Sequence, residues 1–506
     1  MSRTIEPDQN EVFAFLQDPK THPGAGSVTR IDTHGAAVFL AGPDVYKVKR
    51  SVRFPFMDFS SLAKRRAACE AEIEVNRGNA PDLYLGVVPI TREDGKLRLG
   101  GAGEPVEWAV HLRRFDESAT LDRLAEAGPL GPALIDKLAR AVVAAHARAP
   151  IRDGEAATRI FRRLMTETTE ELEAGPFPAD RVAAYCAALA AETDRVEALL
   201  LDRGRHGQVR HCHGDLHLGN LVLIDDEPVL FDAIEFDPAI AISDVLYDLA
   251  FLLMDLCERG LRADANRLLN RYLSLCPDME TQIDGLAALP LFMSLRAAIR
   301  AKVMAVRLPE QAQAYFQAAL DFLAGAPPLL VAVGGLSGAG KSTLAAALAP
   351  CLGRAPGALH LRSDVERKRL FGVAETVALP ADAYRPSASQ AVRHRLAALA
   401  DRALRAGQAV IVDATHLCVS DRTAIEALAE RLGVGFHGLW LDAPVDTLTQ
   451  RVAGRVADAS DATAEVVRAQ AARPRERLPW HRLDATQQVE EILREARRLA
   501  QDARAL

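Results

Sequence analysis

Residues 335–343 of this 506-residue chain read Gly-Leu-Ser-Gly-Ala-Gly-Lys-Ser-Thr, and the segments on either side constrain what they can be. Leu329–Gly334 is a short apolar run suited to a buried parallel strand, while Ser342–Ala349 is a strong helix start. A strand that turns into a helix through glycines forms a phosphate-binding loop. Gly335, Ser337, Gly338, Ala339 and Gly340 let backbone N–H groups turn inward around β- and γ-phosphates, and the helix N-terminus adds a favourable dipole. Lys341 is expected to reach those phosphates and the Ser342 hydroxyl to ligate Mg²⁺, with Thr343 completing the pattern. From 326 to 506 the only lysines are Lys341 and Lys368, in a segment that otherwise uses arginine. Lysine is kept there where a compact point charge is wanted. The loop implies a bound nucleotide, yet it begins two-thirds of the way along the chain and leaves more than 300 residues before it to explain.

At 49% hydrophobic and 25% charged, the chain can bury two or three cores and is not a disordered polymer. No uncharged run approaches a membrane span, and the N-terminus lacks the apolar stretch of a signal peptide. Seven cysteines without a Cys-x-x-Cys pair suggest reduced thiols in a cytoplasm rather than disulfides or structural zinc. The net charge of −7 is uneven. Residues 326–506 carry 24 basic against 20 acidic side chains, and the remainder 37 against 48. The acidic first part is a poor general binder of nucleic acid and favours a neutral or cationic substrate.

The composition breaks at Ala324–Pro328, so the expected domains are 1–325 and 326–506. In the first, Gly35–Gly42 and Asp44–Lys49 read as a hairpin, Ser61–Arg77 as a charged helix and Val106–Leu112 as a strand. Helices dominate from about 120 to 325, except across Gly207–Asp237. After 326, strands at 358–362, Ala409–Asp413 and Gly438–Leu441 alternate with helices, which indicates a parallel sheet covered on both faces.

A second constellation is His213-Gly-Asp-Leu-His-Leu-Gly-Asn220. Asp215 and Asn220 stand five apart, with Phe231-Asp232 following one strand-like stretch. Phosphoryl transfer needs a carboxylate to take the acceptor's proton, here Asp215, and hard oxygen ligands for Mg²⁺, here Asn220 and Asp232. At these residues the chain resembles the aminoglycoside phosphotransferase family, over roughly 25–320 and most closely over 211–256. The resemblance implies a protein-kinase-like domain with a small lobe over about 1–115 and a helical large lobe over about 116–325. It also implies a strand lysine paired with a helix glutamate, best matched by Lys47 and Glu72, with Lys49 and Glu70 as alternatives. Thr33-His-Gly-Ala36 offers one glycine where protein kinases have a glycine-rich loop. Asp244 and Asp248 are read as structural rather than catalytic, as are His146 and His217. Arg296, Arg300 and Lys302 read as a solvated basic stripe or, more sharply, as a contact for a phosphate or the second domain.

In the second half, Arg362-Ser-Asp-Val-Glu-Arg-Lys368 follows the second strand. Asp364 is placed to accept a hydroxyl proton and Arg367 to hold an acceptor or phosphate. Asp413 ends a strand as a Mg²⁺-side carboxylate. Arg451 and Arg455, one helical turn apart, are suited to neutralise a transferring phosphate. The pattern over 329–473 resembles a predicted-kinase family related to polynucleotide kinase, gluconate kinase and zeta-toxin-like enzymes. The expected fold is therefore mixed α/β and α+β: a two-lobed kinase-like domain followed by a doubly wound parallel-sheet domain. The expected function is two ATP- and Mg²⁺-dependent transfers to hydroxyls of small molecules. The alternatives are a regulatory nucleotide-binding half, or a nucleic-acid 5′-hydroxyl or toxin-like kinase in the second half, which the small positive balance speaks against.

Overall fold

A computed structural model describes residues 9–54, 57–306, 308–455, 458–473 and 479–502. The N-terminal stretch that bears on a signal peptide lies in part outside the described residues. The chain forms two compact units, Met1–Glu167 with Leu201–Asp255, and Thr168–Leu200 with Leu256–Leu506.

The first unit contains β1 (Val28–Asp32), β2 (Ala36–Ala41), β3 (Asp44–Lys49), the short pair β4 (Arg53–Phe54) and β5 (Met57–Asp58), β6 (Tyr84–Glu93), β7 (Lys96–Leu99) and β8 (Glu104–Arg113). Six of them form an antiparallel sheet in the order β1-β2-β3-β8-β6-β7. Alternation along β3 decides its chemistry. Tyr46 and Val48 join Phe13, Leu16 and Phe39 on the face covered by helix Gln9–Gln17. Val45 joins Cys69 and Ile73 on the opposite face, which helix Leu62–Arg77 covers, and Lys47 and Lys49 point the same way. Ser61 caps that helix through the Lys64 N–H. Strands β6 and β7 were not expected from the sequence. Gly86 and Pro89 interrupt β6, and its register with β8 shifts at Tyr84/Gly86 and Ile90/Thr91, so no clean alternation survives there.

The rest of this unit is largely helical and holds β9 (Val209–His211), β10 (Leu221–Ile224), β11 (Glu227–Leu230) and β12 (Ile242–Asp244). β9 pairs with β12, and β10 with β11. Asp225 and Asp226 both take positive φ, 50° and 61°, as a tight hairpin turn requires.

In the second unit, β13 (Leu329–Gly335), β14 (Leu359–Arg362), β15 (Val410–Asp413), β16 (Gly435–Asp442) and β17 (His481–Asp484) form a wholly parallel sheet in the order β14-β15-β13-β16-β17. Val331, Val333, Ile411, Leu439 and Leu441 pack with Leu344, Leu348 and Ile492 in its core. The edge strand β17 leaves three of four residues exposed, so the sequence carries no apolar run to announce it. Helices Arg262–Leu275, Met279–Gly285, Leu289–Met304 and Pro309–Leu323 belong to the same unit. Arg296, Arg300 and Lys302 do not form a solvated stripe. Arg296 is buried, Arg300 lies over the Tyr315 ring, and Lys302 pairs with Glu171 at 2.9 Å. Their helix is enclosed along most of its length, so even its basic positions pack against neighbours. Among the described residues no helix is long and apolar enough to cross a membrane, and the seven cysteines are free thiols.

Candidate functional site

The first unit assembles its candidate residues around β3. Lys47 Nζ lies 2.9 Å from Glu72 Oε1 and 2.6 Å from Asp232 Oδ1. Lys49 Nζ lies 2.6 Å from the other Glu72 oxygen and also pairs with Glu235. The two lysines left open by the sequence thus share one glutamate, and Asp232 meets only Lys47 among the pairs described. Glu70 instead pairs with Arg66 on the exposed side of its helix. Burial works against the Lys47 ammonium, but Asp232, Glu72 and Glu235 outweigh it and raise its pKa well above the usual lysine range. Burial likewise opposes charge on Glu72, and the two lysines hold its carboxyl below the usual range.

Asp232 sits at φ 59°, a left-handed conformation rare outside glycine and common at functional sites. It is held there by its N–H, which donates to the Tyr84 hydroxyl at 3.0 Å, and by the two hydrogen bonds between Ala233 and the Asn76 side chain. The Asn220 amide donates to both the carbonyl and the carboxylate of Asp215 at 2.9 Å. The Phe231 N–H donates to the Asn220 carbonyl, which ties the loop to the residue before Asp232. Asp248 accepts from the N–H groups of His213 and Gly214 and contacts His146 at 3.1 Å, so it anchors the loop from beneath. Asp244 pairs through both oxygens with buried Arg203 at 2.7 Å. His217 uses Nδ1 to accept the Gly219 N–H and lies 3.4 Å from Asp215. Tyr84, Asn76 and Glu235 were missed in the sequence because they belong to no local spacing.

The second unit builds a cavity of about 300 Å³ over the loop. Gly338 takes φ 87°, and a Cβ there would meet the Leu448 carbonyl at 2.6 Å, so only glycine fits. Ser337 is held by Gln470, which accepts its N–H at 2.9 Å and donates to its hydroxyl at 3.1 Å. Lys341 Nζ donates to the Leu336 carbonyl, and burial lowers its pKa. The Ser342 hydroxyl donates to Asp413 at 2.6 Å, and His360 approaches the same oxygen at 3.3 Å. Burial opposes charge on Asp413, but His360, Lys341 and Ser342 outweigh it and hold its carboxyl at about 2. Asp364 shows the reverse: burial first, then the charge of Asp413, raises its pKa.

Asp364, Arg451 and Arg455 line the same cavity, and Arg455 Nη1 is buried with no hydrogen-bond partner among the described residues. A buried guanidinium nitrogen without a partner fits an incoming phosphate oxygen. Arg367 does not line it. Its guanidinium donates to the Ala383 carbonyl and stacks over Tyr384. Asp458 and Ser460, which no motif announced, complete the wall, and Arg362 reaches Asp458 at 3.3 Å.

A phosphate-binding loop ending at a hydroxyl and a carboxylate in one unit, and a lysine–glutamate–aspartate cluster in the other, define a kinase-type phosphotransferase. The sequence comparisons agree. The family described as "Phosphotransferase enzyme family" matches residues 96–286, and that described as "AAA domain" matches 330–477. Uncharacterized proteins of Mycobacterium tuberculosis and Mycobacterium bovis are 30% identical over 477 residues, covering 90% of this chain and 91% of theirs. The chain belongs to the family of these mycobacterial proteins, and in it a phosphotransferase segment precedes a phosphate-loop kinase segment. Membership of kinase families carries ATP use with it. Among solved structures, the chain is similar to a gluconokinase from Sinorhizobium meliloti (24% identity, 35% of this chain and 95% of that one, TM-score 0.24). It is also similar to a choline/ethanolamine kinase family protein from Mesorhizobium loti (14% identity, 62% and 95%, TM-score 0.40).

Proposed function

We propose that the chain carries two separate ATP sites, each transferring the γ-phosphoryl group to a hydroxyl of a small molecule. The observation behind this reading is that each half has its own lysine, its own metal-side oxygens and its own carboxylate for an acceptor. In the first half, Lys47 engages phosphate, Asn220 and Asp232 would hold Mg²⁺, and Asp215 takes the acceptor proton. In the second, the loop residues and Lys341 cradle the phosphates, and Ser342 and Asp413 offer hard oxygens to Mg²⁺. Asp364 takes the acceptor proton there, and Arg451 and Arg455 meet the charge that develops as the bond to the leaving ADP breaks. When bound, the metal neutralises charge on the β- and γ-phosphate oxygens. The raised pKa of Asp364 suits a base that must accept a proton, whereas the depressed pKa of Asp413 suits a group that stays anionic. The domain boundary near 325 and a cytoplasmic setting belong to the same proposal.

The test uses the full-length chain. Asp215→Asn and Lys341→Ala are made singly and together, and ATP-dependent phosphorylation of a metabolite library is followed. Each single variant is expected to lose one set of products and keep the other, and the double variant to lose both. Single variants that each retain all products at the parent's rate would refute the two-site reading.

A further inference from the structure

The acceptor side of the phosphate-loop site is built partly from residues that precede the linker Ala324–Pro328. Strand β14 lies at the edge of its sheet, so the backbone groups of Ala358 and His360 on its outer side have no strand to pair with. Two asparagines on helix Arg262–Leu275 take the place of that strand. Asn266 and Asn270 donate to the Ala358 carbonyl at 3.0 and 3.2 Å, and Asn270 Oδ1 accepts the His360 N–H at 2.7 Å. One amide side chain thereby satisfies a donor and an acceptor, as a neighbouring strand would.

What this edge carries matters. His360 and Arg362 both approach Asp413, and the strand leads directly into helix Ser363–Leu370 with Asp364. The same helical segment grips that helix further along. Arg395 bridges Glu366 at 2.6 Å and Glu280 at 2.7 Å, and Arg369 donates to the Ser274 carbonyl. The phosphate loop itself is held differently, by Thr415 and Gln470.

We infer that Asn270 is a positioning residue for phosphoryl transfer at the phosphate-loop site, and that this site is complete only with helix Arg262–Leu275 in place. The inference rests on reading Asp364 as the acceptor base. It separates two functions within one site: the loop binds the nucleotide by itself, whereas the β14 edge and its asparagines aim the acceptor-side groups.

The experiment uses the full chain with Asp215→Asn to silence the first site, with water as the acceptor and ADP release as the readout. Asn270→Ala is expected to slow ADP release by about 10- to 100-fold, the cost of misplacing a reacting group. Binding of a non-hydrolysable ATP analogue should be unchanged, and amide exchange across 359–370 should quicken. Glu280→Gln, at a half-exposed position, is expected to act in the same direction more weakly, and decides alone if Asn270→Ala does not fold. Unchanged ADP release and exchange would overturn the inference, as would equal losses of ADP release and analogue binding. Asp364→Asn that releases ADP at the parent's rate would instead overturn the underlying reading of the site.

Discussion

The Ser342 hydroxyl donates to Asp413 Oδ2 across 2.6 Å, joining the start of the loop helix to the end of β15. The parallel register makes this contact possible, since Val333 on β13 lies opposite Asp413. In a doubly wound sheet, strand ends and helix starts meet along one edge, and ligands bind there.

Ser342→Ala and Asp413→Asn each remove one hard oxygen from this pair. Each is expected to raise the Mg²⁺ concentration needed for half-maximal turnover at this site by about 10- to 100-fold. A Mg²⁺ titration of ADP release in the Asp215→Asn background measures it. Because Asp413 is buried and flanked by His360 and Lys341, the asparagine should keep the fold while losing the charge.

Lys47 and Lys49 share Glu72 but should fail differently. Lys47→Met removes the partner of Asp232 and should abolish transfer at the first site with a modest loss of stability. Lys49→Met leaves buried Glu235 without its cation, which typically costs about 3–5 kcal/mol. Thermal unfolding beside product formation separates the two, and a larger loss of stability in Lys47→Met would reverse the assignment.

Asp364 is held above the usual carboxylate range by burial and by Asp413. Its folded pKa exceeds its unfolded one, so the native state binds more protons between the two values. The charged carboxylate therefore costs stability at neutral pH and costs none below the unfolded value near about 4. Asp364→Asn should raise Tm at pH 7 to 8 while abolishing transfer, and the gain should shrink as the pH is lowered towards 4.

His416 has the opposite linkage. Burial pushes its pKa down to about 4, and it sits at φ 50° against Trp480. Between pH 6.5 and 4 the unfolded chain binds a proton that the folded chain refuses, so stability falls as the pH drops. His416→Asn tolerates the same backbone and removes the proton. Its Tm should fall less than the parent's between pH 7 and 5.

Lys368, the second lysine of the arginine-rich segment, is buried and lies 2.6 Å from Asp461. Asp461 also accepts from the Leu379 N–H and the Tyr384 hydroxyl. Asp461→Asn should destabilise the protein more than Lys368→Met, because it strands the buried ammonium whereas Asp461 is only partly buried and keeps its other donors. The double variant should lose less than the sum. Additive losses in a double-mutant cycle would argue against the pair.

Legibility in the sequence followed locality. The loop at 335–343 is one contiguous stretch whose own backbone makes the cradle, so its glycines, Lys341 and Ser342 can be read directly. Asp215 and Asn220 are five residues apart in one loop, and the amide of one holds the carboxylate of the other. The period-2 alternation of β3 puts Lys47 and Lys49 on one face but cannot choose between them. That choice depends on where Asp232 and Glu235 arrive from a hairpin 185 residues later. Arg296 shows the same limit in reverse: its charge suggested solvent, and its enclosed helix placed it inside.

The sequence alone pointed to two kinase-type segments and to the short-range residues expected to build a site in each, because turns, strands and caps are specified within a few residues. Only the tertiary structure decided which lysine meets which carboxylate, and that Arg362, Asp458 and Ser460 complete the phosphate-loop cavity. It also decided that Asn270 pairs the outer edge of β14. Those contacts join segments far apart in the chain, and packing and register set them, not local spacing.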